Sequence, residues 1–394
     1  MRWEDSVVQR KEEDGESFFM QHVKRFKDCF NNPEDLGRPP RRLIDVLTKF
    51  ALASPAVVGL RSLLRMREGD GEEDLSPVLQ GAAQIGAGFR VLFNRPDAIS
   101  LIRNINDREP YWERVLDYGC NGNLNAVVDE YVHVLRESLG LIDKTFSQMA
   151  REIAKAIYAG ISLRTISLEY DEVLVPPRSR KVFINPHRVR CCYALRLGEG
   201  KVEGDEEVTR SDQVRAAFNS PFRPFILATT SIGQEGLDFH QYCHSIYHWN
   251  LPSNPVDLEQ REGRIHRYKG LVIRRNIVRQ FGLAALKRNK NYRDPWNYLF
   301  EKGINIRPKG KDDIIPFWVF EPEDKKGMKI DRHVPCMPLS RDVERLQDLK
   351  KTLAVYRMVF GQPRQDDLVE FLKRYMDEEE ISQAIQNLRI DLSP

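Results

Sequence analysis

The sequence of 394 residues lacks the features of a membrane or secreted protein. No apolar run approaches the roughly 20 residues that span a bilayer. The N-terminus, MRWEDSVVQRKEEDGE, is charged where a signal peptide would be apolar. The six cysteines include no CxxC pair, so neither a disulfide framework nor a zinc ribbon is indicated. We therefore expect a cytoplasmic protein with reduced thiols, no membrane partner and no bound metal of its own.

The composition indicates a globular chain whose positive charge is concentrated locally. Hydrophobic residues make up 41% and charged residues 30%, and the length suits two or three domains. The net charge of +3 identifies no partner, but positions 263–293 contain no Asp or Glu. The basic residues of this stretch are Arg264, Arg267, Lys269, Arg274, Arg275, Arg279, Lys287, Arg288, Lys290 and Arg293. We interpret it as a candidate phosphate-contacting surface; the alternative is a solvated basic face whose acids come from elsewhere in the fold.

Residues 1–160 predict a helical subdomain. Aliphatic residues recur at helical spacing early in this region, and Pro55 is expected to separate two helices. Amphipathic stretches predict further helices at 123–140 and at 145–160, and Gly160 is expected to end the second. Nothing in this region indicates catalysis.

The pattern changes near residue 161, and 161–295 predicts an α/β domain. The predicted strands are 163–175, 188–197, 224–230 and 244–251, with a helix at 209–220. Strands that alternate with helices indicate a parallel sheet with crossover helices. Residues 296–394 predict an irregular connection and a helical C-terminal extension. Within it, the apolar stripe Leu346, Leu349, Leu353 and Tyr356 is interpreted as core packing.

Two segments carry residue types suited to phosphate chemistry. In NPVDLEQREGRIHR, Gln260, Arg264 and Arg267 lie at i, i+4 and i+7 and are expected on one helix face, where clustered arginines need an anion. Upstream, ATTSIGQEGLDFH (228–240) follows a predicted buried strand and contains two glycines and Asp238. Glycines at a strand end let a phosphate or sugar approach the backbone, and a carboxylate accepts hydrogen bonds from ribose.

The stretch directly after this loop carries weaker signals of function. Three histidines and Cys243 are closely spaced over 240–248. A loop followed by a strand does not put them on one face, so no metal site is predicted. Trp249 is interpreted as a packing residue rather than a base-stacking platform.

These segments resemble motifs V and VI of superfamily 2 helicases. TTSIGQEGLDF is similar to motif V, and QREGRIHR agrees with motif VI at every Gln-Arg-x-Gly-Arg-x-x-Arg position. The likeness covers roughly residues 188–275 and is nearest to Swi/Snf-like and bacterial phage-defence helicases; 54–63 and 356–368 also resemble segments beside this lobe in the bacterial proteins. The resemblance implies an α/β fold, a RecA-like parallel sheet with flanking helices. It would be the second of two lobes that bind ATP between them.

Position by position, the resemblance implies roles for single residues. Arg264 and Arg267 would be arginine fingers that reach the γ-phosphate, and Gln260 would position the phosphates or the attacking water. Contacts to the nucleotide or to the other lobe are implied for Gly236, Asp238, Arg261 and Gly263. Nucleic-acid backbone contacts are implied for Thr230 and Ser231. The basic stretch 263–293, called the basic block below, adds Arg274 and Arg275 as candidates.

The first-lobe half of such a site is missing from this sequence. No GxxxxGK[ST] loop is present, and in GEGKVEG Val202 stands where a hydroxyl residue would be needed. LEYDEVL (168–174) is interpreted as a strand with exposed acids rather than as a Walker B strand. We therefore expect half an ATPase site, inactive alone, with Mg²⁺ held mainly by a partner protein that carries the Walker A and DExx motifs.

Three interpretations remain open. The first is the C-terminal lobe of a nucleic-acid-dependent ATPase, a helicase or translocase acting on DNA or RNA. The second is a non-catalytic nucleic-acid-binding or scaffolding module derived from a helicase, but a retired ATPase would have little need for both finger arginines. A small-ligand α/β enzyme is least favoured, because it would require a catalytic pocket away from 230–267.

Overall fold

The computed structural model divides into two compact units. One comprises Met1–Ala194 and Thr209–Arg223, and the other comprises Leu195–Val208 and Pro224–Pro394. The residues that the structure describes are 24, 27–32, 38–39, 41–67, 74–104, 109–163, 166–174, 182–191, 212–228, 238–288, 294–307, 314–336, 338–358, 372, 374–377 and 379–383.

The first unit has a core of packed helices. Their bounds are α1 (Leu43–Ala53), α2 (Pro55–Leu64), α3 (Ser76–Phe93), α4 (Pro96–Arg103), α5 (Tyr111–Asn121), α6 (Leu124–Ser138) and α7 (Phe146–Ile161). Helix α3 packs against α2 and α7, and α2 packs against α6. The predicted break at Pro55 is confirmed, since Ser54 adopts an extended conformation and Pro55 begins α2. The predicted helices at 123–140 and 145–160 are present as α6 and α7.

Helix α7 begins at a strong local signal but does not end at the predicted glycine. The Thr145 hydroxyl accepts a hydrogen bond from the Gln148 backbone (3.4 Å), and the Gln148 side chain accepts one from the Thr145 backbone (3.3 Å). This capping box satisfies donors that the first helical turn leaves unpaired. The helix then runs through Gly160 to Ile161. A Cβ at Gly160 would lie 3.3 Å from the Ala216 carbonyl oxygen, so this glycine permits close packing rather than ending the helix.

The first two strands form a hairpin instead of joining a parallel sheet. Strands β1 (Ile166–Leu174) and β2 (Phe183–Cys191) pair antiparallel, with Leu174 opposite Phe183. The expectation of parallel pairing was wrong here, because the connection 175–182 is too short for the crossover that parallel strands require. The rest of the predicted strand 188–197 lies outside the described residues. The predicted helix at 209–220 appears as α8 over 212–218.

The second unit combines helices with a short parallel pair of strands. Its elements are β3 (Ser245–Tyr247), α9 (Pro255–Gly263), α10 (Leu271–Arg288), α11 (Pro295–Asn305), β4 (Asp331–His333) and α12 (Asp342–Met358). Strands β3 and β4 are parallel, with Ser245 opposite Asp331 and Tyr247 opposite His333. The predicted strand at 244–251 is therefore present in part, and its parallel pairing agrees with the expected α/β class.

Two expectations for this unit were wrong. Residues 224–228 are not a strand, and Phe225 and Ile226 are 74% and 86% exposed rather than buried. Their apolar run has no strand neighbour in the described part of the chain. The segment after 295 begins as helix α11, not as an irregular connection. The Asp294 carboxylate accepts hydrogen bonds from the backbone N–H groups of Trp296 and Asn297, which caps this helix.

The core of the second unit lies in two apolar clusters. One joins α10, α11 and the segment after it, and consists of Ile273, Ile277, Leu299, Phe300 and Phe320. The other joins Leu251, Leu258 of α9 and Leu349 of α12, with Leu346 packed against it. The interpretation of Leu346 and Leu349 as core packing is confirmed.

Among the described helices, no single one is long and apolar enough to cross a bilayer. The bent pair α1 and α2, which meet at 49°, passes a test of length and composition only when the two are taken together. Val58 and Leu63 of α2 are fully buried, so the inner side of this pair belongs to the helical core.

The capping box of α7 yields a stability prediction. We expect Thr145→Ala to lower the free energy of unfolding by about 1 kcal/mol, because an N-terminal N–H loses its acceptor. Thr145→Ser keeps the hydroxyl and should stay close to the parent protein. Urea denaturation followed by circular dichroism measures both, and equal losses in the two variants would contradict the capping role.

Candidate functional site

A cavity of about 300 Å³ lies at the end of α9 and contains the predicted catalytic side chains. Its lining residues are Gln260, Gly263, Arg264, His266, Arg267 and Trp318. Gln260, Arg264 and Arg267 were predicted to come together, and the structure brings them together around this space. His266 and Trp318 are additional lining residues.

The three side chains converge by a different route from the predicted helix face. The Asn254 side chain accepts a hydrogen bond from the Val256 backbone (2.9 Å), and Pro255 occupies the first turn of α9. The helix ends at Gly263, with Arg264 as its C-cap. Arg267 lies beyond the helix, so the single-face expectation was wrong for it. The chain turns after α9 and returns Arg267 to the same cavity.

Gly263 faces open space in this cavity. A Cβ built on it would meet no atom within 4 Å. It lines the same cavity as Arg264 and Arg267. The missing side chain therefore leaves room for a ligand to approach the backbone beside two guanidinium groups.

The end of the predicted motif V is hydrogen-bonded to the segment that carries Arg267. The Phe239 backbone N–H donates to the Arg264 carbonyl oxygen (2.9 Å), and the Leu271 N–H donates to the His240 carbonyl oxygen (3.0 Å). This pairing sets Asp238 opposite Arg267, and their side chains form an ion pair of 3.0 Å. Both side chains remain about half exposed, at 48% and 44%.

His240 is held neutral beside this ion pair. Burial, together with the positive charges of Arg274 and Arg267, lowers the pKa of its imidazole to about 4, although the Asp238 carboxylate opposes them. Its Nδ1 atom is buried with no hydrogen-bond partner. A neutral imidazole adds no positive charge next to the arginines, so the local field comes from the guanidinium groups.

Arg261 and Glu262 connect α9 to the parallel strand pair. Arg261 donates to the Asn250 carbonyl oxygen (2.9 Å). Glu262 forms an ion pair with Arg332 (2.7 Å) and lies 3.4 Å from the buried imidazole of His248. Arg261 and Glu262, which lie between Gln260 and Arg264 in sequence, therefore anchor the helix, while Gln260, Arg264 and Arg267 line the cavity.

The basic block does not form one phosphate-contacting surface. Arg274 is 2% exposed, and its guanidinium donates to the carbonyl oxygens of Lys269 (2.9 Å) and Gln241 (2.6 Å). The prediction that it contacts nucleic acid was therefore wrong, because it serves as an interior anchor. Arg279 is paired with Asp324 at 2.8 Å, which is the kind of external acid that the alternative interpretation foresaw. Arg275 is exposed, and its nucleic-acid contact stays a prediction.

Other sequence interpretations have mixed outcomes. Trp249 is 71% exposed, so its interpretation as a packing residue was wrong. Within the part of the chain that the structure describes, no group of three or more His, Cys, Asp or Glu side chains is arranged to hold a metal. The candidates Thr230, Ser231 and Gly236 lie outside the described residues, as does most of the predicted motif V.

Sequence reasoning missed Trp318 as a wall of the cavity. It lies far from motif VI in sequence, and its carbonyl oxygen is 3.1 Å from His266 Nε2. The local signal was the aromatic run FWVF within a stretch otherwise interpreted as an irregular connection. Such a run indicates that a segment is apolar, but it does not show which part of the fold the segment packs against.

Comparison with known proteins supports the helicase interpretation at the level of the domain. Residues 197–269 match the family model of the helicase conserved C-terminal domain. The match supports a superfamily 2 helicase C-terminal lobe, a RecA-like α/β fold and interaction with nucleic acid at the family level. It contains Gln260, Arg264 and Arg267 and ends before Trp318. No curated protein and no solved structure matches the chain.

The depressed pKa of His240 yields a pH prediction. Between pH 6.5 and about 4, the unfolded state binds a proton at this histidine and the folded state does not. The free energy of unfolding should therefore fall as pH falls through this window, by about 1–3 kcal/mol from this group. We expect His240→Gln to flatten the pH dependence measured by urea denaturation. His187→Gln, which changes an exposed histidine, should leave it intact; identical profiles for the parent and His240→Gln would refute the assignment.

Proposed function

We propose that this chain supplies the C-terminal lobe of a nucleic-acid-dependent ATPase, either a helicase or a translocase. Arg264 and Arg267 act as arginine fingers in an ATP site that a Walker A and DExx lobe on another chain completes. The observation that carries the proposal is the convergence of Gln260, Arg264 and Arg267 on one cavity beside the open face of Gly263. The family match over 197–269 supports the same assignment.

The chemistry of the cavity suits a triphosphate. Phosphoryl transfer spreads negative charge over the γ-phosphate oxygens, and fixed guanidinium groups stabilise that charge. Arginine offers a planar fork that matches phosphate oxygens, which lysine lacks. Gln260 would position the phosphates or the attacking water. Mg²⁺ would arrive with ATP and be held mainly by the partner lobe, since the cavity lining contains no carboxylate.

Asp238 gives Arg267 a partner that a phosphate can replace. An ion pair between half-exposed side chains contributes only about 0–1 kcal/mol. A phosphate that forms paired hydrogen bonds with the same guanidinium interacts more strongly. Once Arg267 turns to the nucleotide, Asp238 becomes available to ribose or to coupling with nucleic acid, the role that is also proposed for Gly236. Thr230, Ser231 and Arg275 remain the proposed nucleic-acid contacts.

An exposed aromatic surface offers a docking site for the partner lobe. Tyr247 is 66% exposed and stacks on the His333 ring at 4.2 Å, and Trp249 is 71% exposed beside them. The positive charge of the neighbouring Arg332 is paired with Glu262. Exposed Trp and Tyr without excess positive charge favour a protein partner over a phosphate backbone. The surface follows β3 and β4 at their carboxyl ends, where ligands and partners of α/β lobes gather.

Further assignments rest on the resemblance alone. The likeness to Swi/Snf-like and phage-defence helicases is a proposal about pathway. The division into a helical subdomain (1–160), a RecA-like domain (161–295) and a C-terminal extension (296–394) follows from the sequence pattern and stays a proposal; its bounds differ from those of the two compact units of the structure.

The finger assignment predicts a loss of ATP hydrolysis in a reconstituted pair. The chain is mixed with a candidate first-lobe protein and nucleic acid, and phosphate release is measured at saturating ATP. We expect Arg267→Ala to lower kcat by about 10³–10⁵-fold, because the transition-state charge loses its fixed guanidinium. Arg267→Lys should restore little of the rate, because lysine cannot reproduce the fork.

Arg279→Ala provides the control, because Arg279 is exposed, paired with Asp324 and absent from the cavity lining. This variant should keep the parent rate. Undiminished hydrolysis by the Arg267→Ala mixture would rule out the finger role. Nucleic-acid binding without any stimulated hydrolysis would instead favour the non-catalytic alternative.

The aromatic surface predicts a specific loss of partner binding. We expect Trp249→Ala to weaken association with the first-lobe protein by at least tenfold, as interface tryptophans commonly do. The melting temperature should barely change, because the side chain is 71% exposed. Trp112→Ala changes a tryptophan of the other unit and serves as the control in calorimetric titrations. Equal affinities for the two variants, or a loss confined to nucleic-acid binding, would contradict the docking assignment.

A further inference from the structure

The turn 314–320 contacts residues 264–269, called the arginine segment below, on both sides of Arg267. Before it, the His266 Nε2 atom lies 3.1 Å from the Trp318 carbonyl oxygen. A carbonyl oxygen only accepts, so Nε2 carries the proton that is donated. After it, the Lys269 backbone N–H donates to the Phe317 carbonyl oxygen at 2.8 Å. Two consecutive carbonyl groups of one turn therefore fix the residues that flank Arg267.

Aromatic side chains reinforce these backbone contacts. The Tyr268 ring stacks on Phe317 with centroids 5.5 Å apart and meets the edge of Trp318 at 6.4 Å. The Lys269 ammonium lies 4.5 Å from the centroid of Phe300 and 5.6 Å from that of Phe317. Cation–π contacts of this kind strengthen when the cation is removed from water, and Lys269 is only 8% exposed.

The arginine segment needs such support because its backbone is strained. Lys269 has φ of +49°, in the left-handed region that residues with a Cβ rarely occupy. A conformation of this kind costs about 1–3 kcal/mol and persists only where surrounding contacts determine it. Here those contacts come from the turn 314–320 and from Arg274, which donates to the Lys269 carbonyl oxygen.

The turn is itself anchored in the core of the second unit. Phe317 stacks on Phe300 of α11 at 5.9 Å, and Phe320 belongs to the buried cluster. The Asn276 amide of α10, fully buried, donates to the Phe320 carbonyl oxygen at 3.0 Å. The position of the turn is therefore set by α10 and α11 rather than by the cavity.

From these contacts we infer that the turn 314–320 is a positioning element for Arg267. Phe317 and Trp318 hold the residues on either side of Arg267, and Trp318 lines the same cavity as Arg267. The turn lies outside the family match, which ends at residue 269. That the positioned arginine serves ATP hydrolysis rests on the proposed function, whereas the positioning itself does not.

The test measures the environment of Arg267 directly. The intact chain is treated with phenylglyoxal, which modifies accessible arginine side chains, and peptide mass spectrometry gives the rate at Arg267 relative to exposed Arg275. We expect Phe317→Ala to raise this relative rate several-fold, because the segment loses its ring stack and separates from Asp238. Phe317→Tyr keeps an aromatic ring and should return the parent rate.

Two further variants separate positioning from general loss of stability. Val319→Ala truncates a neighbouring side chain in the same turn and should leave the relative rate unchanged. Tyr268→Ala removes the opposing ring at a 44% exposed position, so it should fold if Phe317→Ala does not, and it should raise the rate at Arg267. An unchanged rate in Phe317→Ala and Tyr268→Ala, or an equal rise in Val319→Ala, would overturn the inference.

A separate arm of the experiment addresses the proposed function. ATP or inorganic tripolyphosphate should protect Arg264 and Arg267 from phenylglyoxal in the parent chain and leave Arg275 reactive. Absence of protection would contradict the proposed nucleotide site but not the positioning role of the turn. The effect of Phe317→Ala on Arg267 would still decide whether the turn positions this arginine.

Discussion

Burial of two cations beneath Arg267 is the constraint on which the site depends. Lys269 and Arg274 are 8% and 2% exposed, and a charge withdrawn from water costs several kcal/mol unless partners compensate. Aromatic rings surround the Lys269 ammonium, and the Arg274 guanidinium donates to two carbonyl oxygens and lies over the Tyr242 ring. Because these partners are fixed, the backbone between them has one arrangement. With the interior positions filled by Lys269 and Arg274, Arg264 and Arg267 are the arginines that line the cavity.

Elements defined by local signals were predictable from the sequence, whereas strand partners were not. Pro55 and the Thr145 capping box act within a few residues, so the helices they begin were foreseen in place and type. Whether β1 and β2 pair parallel or antiparallel depends on the length of the connection between them, and the sequence pattern did not show where β2 begins. Gly160 was misinterpreted for a related reason. Its effect comes from Ala216, a contact that no periodicity in the surrounding helix contains.

Site residues that lie close together in sequence were predictable, whereas a residue brought in from a distant segment was not. Motif VI predicted that Gln260, Arg264 and Arg267 lie together, and they line one cavity, although the helix ends at Gly263 and a turn, not a helix face, brings in Arg267. Trp318 joins the cavity through tertiary contacts of a distant turn.

The basic block shows a second limit of prediction from sequence. Composition gives the number of charges, but Arg274 points inward because neighbouring carbonyl oxygens were available to it.

The pairing of Arg267 with Asp238 offsets the positive charge that gathers at this end of the cavity. An unpaired guanidinium beside the buried cations would be repelled by them, and the Asp238 carboxylate offsets that repulsion. Because both side chains stay about half exposed, water screens the pair and keeps it weak. A stronger, buried pair would bind the arginine permanently and exclude a phosphate. Partial exposure thus lets the same arginine be oriented in the free chain and stay available to an anion, as the proposed function requires.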